Sequence, residues 1–364
     1  MWNRLIALLA ATFVALGASS AAHAADKADN GRLKAVASFS ILGDMVKNVG
    51  GDRVEVTTLV GPNGDAHVFS PTPADAKMLA SADIFFVNGL GFEGWMQRLE
   101  KASGFTGALV VTSGGVMPIV MKGGHNHGAE HEDDHDHDDH AKGADDHDED
   151  HDDHAKGEEG HDQDDHAKGE DDHDHDEHAK VEDDDSHGGD TDPHAWQSLF
   201  NGKIYVTNIR DALIAADPEG KETYEANAAK YLAAIEAEDE AVRAAIAKLP
   251  EARRKIITSH DAFGYFGNAY GLEIIAPEGV STESEASAQD VAKIIRQIRE
   301  EHIPAVFLEN VTDRRLLDQI ASETGAKIGG VLYSDALSDQ DGPAPTYLDM
   351  FRHNVGTLTA ALSS

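Results

Sequence analysis

The 364 residues carry 67 acidic against 30 basic side chains, a formal net charge of −37, and no cysteine. A chain this acidic, with no basic cluster, has no complement for nucleic acid or for an anionic membrane surface. The missing thiol excludes disulfides, thiolate zinc sites and a cysteine-linked lipid anchor, leaving His, Asp and Glu as the strong metal ligands.

At the N-terminus, Arg4 precedes an apolar run over Leu5–Leu16 and small residues ending in Ala22-His23-Ala24. The run is too short to span a bilayer, so residues 1–24 are expected to be a secretory signal peptide cleaved after Ala24. No later stretch approaches the roughly 20 apolar residues of a spanning helix. Export without an anchor points to the periplasm of a Gram-negative cell, with the mature protein a monomer.

Short β-rich runs follow at Lys34–Phe39, Val54–Val60, Asp83–Asn88 and Ala108–Thr112, with helix-like segments at Ile41–Val49 and Pro73–Ser81. Strands alternating with helices predict a parallel α/β sheet. Between Gly124 and Gly188 the pattern gives way to a tract holding 15 of the 21 histidines among 29 carboxylates and four lysines, which accounts for −25 of the net charge. A DDHAKG unit recurs there at Asp138–Gly143, Asp152–Gly157 and Asp164–Gly169, with a variant at Asp176–Lys180. The spacing fits no solenoid, and so polar a composition buries too little apolar area to fold, so 121–190 is expected to be a disordered insert. Acids alone would make a solvated spacer; the histidines mark metal capture.

Past the tract, Glu222–Leu249 is rich in Ala, Glu and Lys, holds no Gly or internal Pro, and stops at Pro250, which predicts a helix of roughly 40 Å. The alternating scheme then repeats at Lys255–Ser259, Glu273–Ala276, Ala305–Glu309 and Lys327–Tyr333, with a helical Ala288–His302. The expected class is α/β: two lobes, each a mostly parallel sheet flanked by helices, joined by one long rigid helix. The boundaries are 25–219 for the N-terminal lobe with its insert, 220–250 for the linking helix and 251–364 for the C-terminal lobe.

Four segments outside the tract each offer a ligand at a strand end or in the loop beyond it: GPNGDAH to His67, DPHAW with His194, TSHDAFGYF with His260, and LYSDALS with Asp335. In open α/β sheets ligands gather at the carboxyl ends of the strands, so loops from two lobes can converge in one cleft. Asp339 and Asp341 lie near enough in sequence to replace Asp335, and Asp192 caps or orients as readily as it ligates. Glu309, closing the FLEN strand, is either an acceptor behind a ligand imidazole or a solvated strand end. Trp95, Phe263 and Phe266 are assigned to packing, and His302 and His353 to ordinary surface or hydrogen-bonding roles.

These markers, with STESEASAQDVAKIIRQIREEHIPAVFLEN and GGVLYSDALS, together resemble the periplasmic metal-binding solute-binding proteins of ABC importers, the zinc and manganese family, over essentially the entire mature chain outside the insert. The resemblance implies metal ligands at His67, His194, His260 and Asp335, no catalysis, and delivery to an ABC transporter permease in the inner membrane. It also implies a metal: manganese members are similar but carry Glu at the position of His260, and three imidazoles with one carboxylate favour Zn(II) as the transported ligand. Ala66 stands where some relatives have an acidic residue, which leaves Asp335 as the fourth ligand. Four protein ligands close the site, which argues against a zinc hydrolase, and affinity should fall as the imidazoles protonate below about pH 6.5. A rigid linking helix implies modest closure on binding. Manganese uptake, and a periplasmic zinc buffer working through the tract, are the alternatives. The tract would feed the cleft, store metal, or dock a periplasmic metallochaperone.

Overall fold

The structure is a computed structural model, and it describes residues 31–120, 191–283 and 285–363. The signal peptide, its cleavage site and the His/Asp-rich tract lie outside the described residues.

The first lobe runs β1 (Leu33–Phe39), α1 (Ser40–Gly50), β2 (Val54–Val60), α2 (Pro73–Ala80), β3 (Ile84–Val87), α3 (Met96–Ser103) and β4 (Ala108–Val111). After the tract come α4 (Leu199–Ala216) and the long α5 (Lys221–Ile246). The second lobe adds β5 (Lys255–Ile257), α6 (Gly264–Tyr270), β6 (Glu273–Ile275), α7 (Ala288–Glu301), β7 (Ala305–Glu309), α8 (Arg315–Thr324), β8 (Lys327–Leu332) and α9 (Tyr347–Leu362). Each lobe holds one four-stranded parallel sheet, in the orders β2-β1-β3-β4 and β6-β5-β7-β8.

Local chemistry explains the boundaries. Thr72 and Asp75 form a reciprocal capping box around Pro73 at the start of α2, the arrangement that satisfies orphan N–H groups and exploits the fixed φ of proline. Ser287 caps α7 through the Asp290 N–H, and His302 ends that helix in the left-handed region. Strands β3 and β7 are buried throughout, as central parallel strands covered on both faces must be. The edge strands β4 and β8 are largely exposed.

At about 1.5 Å per residue, the 26 residues of α5 span about 39 Å. Its N-terminal half bonds the first lobe, where Asn227 Nδ2 donates to the Val49 carbonyl at 3.0 Å. Its C-terminal half bonds the second, where Asp239 accepts from the Tyr270 hydroxyl at 2.8 Å. The lobes also share one continuous apolar core, from Phe39, Phe85 and Phe86 through Phe307, Tyr347 and Phe351. A smaller cluster, including Ile257, Ile294, Ile298, Val306 and Leu317, packs α7 and α8 onto the second sheet. Because that core draws on both lobes, the second lobe is held by more than the linking helix.

Candidate metal centre

His260 follows β5, Asp335 follows β8, and His67 lies in the loop after β2, so three of the four candidates sit beyond strand ends as the sequence predicts. His194 differs. It leads a short 3₁₀ turn over Ala195–Gln197 that feeds α4, and Thr191, just before it, forms an isolated antiparallel bridge with Val120. An aspartate turn fixes it instead of a strand: Asp192 Oδ1 accepts the His194 backbone N–H at 2.9 Å.

The four side chains converge. One ligand atom from each of His67, His194, His260 and Asp335 lies within 4.8 Å of all the others. His67 Nε2 is 3.2 Å from His194 Nε2, and Asp335 Oδ2 is 3.1 Å from His260 Nε2 and 3.4 Å from His67 Nε2. Asp335 Oδ1 is 3.6 Å from His194 Nε2. Four ligands on a tetrahedron of about 2.05 Å radius stand about 3.3 Å apart, so these separations suit one ion at the centre. Asp335 has the place; Asp339 instead accepts from the Asn63 amide at 3.1 Å.

Behind the ligands stand two buried carboxylates. Asp192 Oδ1 is 2.9 Å from His194 Nδ1, and Glu309 Oε2 is 2.7 Å from His260 Nδ1, a charge contact without the alignment of a straight N–H···O bond. Each carboxylate favours a proton on Nδ1 and leaves the Nε2 lone pair facing the centre. Glu309 Oε1 also accepts the backbone N–H groups of Ser259 and His260, at 2.8 and 2.9 Å, so Glu309 is no solvated strand end. Gly264 makes room for Asp192: a Cβ there would stand 2.4 Å from Asp192 Oδ2.

Burial penalises charge on His260, but the Glu309 and Asp335 carboxylates outweigh it and hold the imidazole well above its ordinary pKa of 6.5. For Asp335, burial pushes upward while the His260 and His194 imidazoles pull harder, holding it well below the ordinary carboxylate value. Metal binding at His260 Nε2 would therefore have to displace a proton that these two carboxylates favour.

Sequence reasoning missed the supports in the first lobe. The Trp95 indole, assigned only to packing, also donates to the Ala66 carbonyl at 2.7 Å, pinning the backbone next to His67. Buried Glu93 accepts from Ser38 Oγ at 2.6 Å and from the Asn88 N–H at 2.7 Å, and Asn88 in turn donates to the Pro193 carbonyl at 2.9 Å. Phe92 presses against both His67 and His194, with ring centroids 4.7 and 6.0 Å away.

Comparison with known proteins agrees with this geometry. Residues 35–361 match the family model described as ZnuA, the periplasmic component A of a zinc-uptake complex. The chain belongs to this family. It is 29% identical over 336 residues to the manganese-binding lipoprotein MntA of Halalkalibacterium halodurans, covering 92% of this chain and 90% of the relative. It is also 29% identical over 355 residues to the iron-binding protein YfeA of Yersinia pestis, covering 96% and 94%. Among solved structures, it resembles the periplasmic zinc-binding protein TroA of Treponema pallidum, with TM-score 0.70 and 25% identity over 91% of this chain and 99% of that one. A manganese-bound periplasmic metal-binding protein from Candidatus Liberibacter asiaticus, an S38A mutant, gives TM-score 0.69 and 28% identity over 91% and 100%.

This ZnuA-family chain is therefore an extracytoplasmic metal-binding solute-binding protein of an ABC uptake system, not an enzyme, and a membrane permease is its partner. Its buried site of three histidines and one aspartate takes a divalent metal as cargo. Among the described residues, no helix is long and apolar enough to cross a membrane.

Proposed function

We propose that this protein captures Zn(II) through His67, His194, His260 and Asp335 in the inter-lobe cleft, in the periplasm, and delivers it as a monomer to an inner-membrane ABC permease for high-affinity zinc uptake. The observation that carries the choice of metal is the donor set itself. Three imidazole nitrogens and one carboxylate at tetrahedral separations suit Zn(II), whereas manganese prefers a harder, oxygen-rich set. The family description names zinc; relatives named for manganese and iron keep manganese uptake as the competing reading.

Raw affinity alone does not discriminate, because zinc binds nitrogen sites more tightly than manganese in almost any protein. The test is therefore physiological. A deletion strain should stop growing in zinc-depleted medium and recover with added Zn(II) but not Mn(II). Growth failure confined to manganese depletion would overturn the reading. The tract bears 15 histidines, and we assign it the work of feeding or storing zinc for the cleft. Removing 121–190 should lower zinc stoichiometry and spare one tight ion that His260→Ala then abolishes. If all tight binding leaves with the tract, the protein is a buffer; if docking is its task, a periplasmic metallochaperone will lose its grip in the same variant.

A further inference from the structure

The four ligands are not equally enclosed. His194, His260 and Asp335 are 0% exposed, and His67 is 7% exposed, so His67 is the ligand nearest to solvent. The strap after β6, residues 276–283, reaches the loop that carries it. Its base is fastened to the His260 segment: the Thr258 N–H donates to the Ile275 carbonyl at 3.0 Å, Glu278 N–H to the Ser259 carbonyl at 3.3 Å, and Asp261 N–H to the Gly279 carbonyl at 3.1 Å. Its far end reaches the other lobe, where Thr282 Oγ1 donates to Asp65 Oδ2 at 2.6 Å.

Asp65 is a divided residue. Its Oδ1 accepts the His67 backbone N–H at 2.9 Å, so the carboxylate that shapes the turn of the exposed ligand also receives the strap. Among the described residues, the Thr282 hydroxyl is the strap's hydrogen bond to the first lobe. The His67 loop has a second fastening: the Asn63 N–H donates to the Leu337 carbonyl at 2.8 Å and its amide to Asp339 at 3.1 Å. Losing the Thr282 contact would therefore free the strap while the ligand loop stays docked.

We propose that the cargo ion enters and leaves past His67, and that the Asp65–Thr282 hydrogen bond is the latch on that route. Asp65 and Thr282 are positioning residues: neither belongs to the cluster of four ligands, and they set how often the strap lifts. A latch slows passage in both directions, whereas a contact that merely orients a ligand lowers affinity through the off-rate alone. The inference rests on the proposed metal site, so its test must separate the two.

The experiment is stopped-flow zinc exchange on the full chain, followed by tryptophan fluorescence, because the Trp196 ring lies 5.3 Å from the His194 ring. The slow phase released to excess chelator is assigned to the buried site by its loss in His260→Ala. Thr282→Val should raise both the release and the entry rate of that phase roughly three- to tenfold, the scale of one lost hydrogen bond, and leave Kd within about threefold. Thr282→Ser should restore the original rates. An unchanged release rate in Thr282→Val, or faster release with unchanged entry, would overturn the latch. Persistence of the slow phase in His260→Ala would overturn the metal site itself, a distinct failure.

Discussion

The two Asp-x-His turns, 65–67 and 192–194, start alike and end differently. In both, the aspartate Oδ1 accepts the histidine backbone N–H at 2.9 Å, a local bond that any Asp two residues upstream can make. Asp192 then turns the same oxygen toward its own histidine's Nδ1, at 2.9 Å, in a buried pocket cleared by Gly264. Asp65 instead spends its other oxygen on Thr282 in the opposite lobe. The same local grammar yields one turn that orients an imidazole and one that ties the lobes together. Sequence sets the turn, and tertiary surroundings set its purpose.

The largest test strikes what the two turns share. Phe92 is 1% exposed and packs on Phe39, Trp196 and both imidazoles. Phe92→Ala should cost about 3–5 kcal/mol of stability, as large buried truncations do, and should disorder both turns. Urea unfolding of the metal-free protein measures it. A loss under 1 kcal/mol would mean that the turns hold themselves without the shared wall.

The next test separates them. Asp192→Asn keeps an acceptor for the backbone N–H and removes the negative charge behind His194, so zinc affinity should fall roughly 10- to 100-fold. Asp65→Asn keeps its backbone acceptor too, and its amide can still pair with the Thr282 hydroxyl, so affinity should change about threefold or less. Competition against a calibrated chelator gives both numbers, and equal losses would erase the distinction. Gly264→Ala probes the room that Asp192 needs. With a Cβ placed 2.4 Å from Asp192 Oδ2, backbone or carboxylate must shift, at about 1–3 kcal/mol. The unfolding midpoint should drop with the denaturant slope unchanged.

Much of this architecture was legible before any coordinates. Short β-rich runs placed all eight strands of the two sheets to within about two residues, because central parallel strands such as Ile84–Val87 are apolar throughout. Helix α5 was legible from its Ala, Glu and Lys content. Helix α4 was not read: it contains Gly202 and β-branched residues, and the glycine is there for tertiary reasons, since a Cβ would meet the Tyr347 hydroxyl at 2.6 Å. The four ligands were found through family resemblance joined to strand-end logic, and they do meet. Thr282 was invisible, because its partner lies 217 residues away and no local pattern announces a contact of that span.

A third aspartate shows what a carboxylate does when no imidazole stands against it. Asp44 Oδ2 accepts the Tyr347 N–H at 3.0 Å and the Tyr231 hydroxyl at 3.3 Å, joining α1 to α5 and α9. Burial dominates there, with the two hydrogen bonds and nearby Lys47 only partly opposing it, and the pKa is pushed up to about 6 from 3.8. Asp335 moves the other way because the imidazoles outweigh its burial. The folded state of Asp44 binds its proton more tightly than the unfolded chain does, so its contribution is fully present below the unfolded value and is lost as pH rises through about 6. With its partial exposure allowed for, the cost at neutral pH is about 1–2 kcal/mol. Asp44→Asn keeps an acceptor and cannot ionise, so it should be more stable than the parent by that amount at pH 7.5, and the gap should shrink steadily as pH falls through about 6 and vanish only towards the unfolded value of 3.8. Urea unfolding of the metal-free pair across pH 4.5–7.5 reads the gap directly, and a difference that stays flat would show that hydration, not burial, governs this carboxylate.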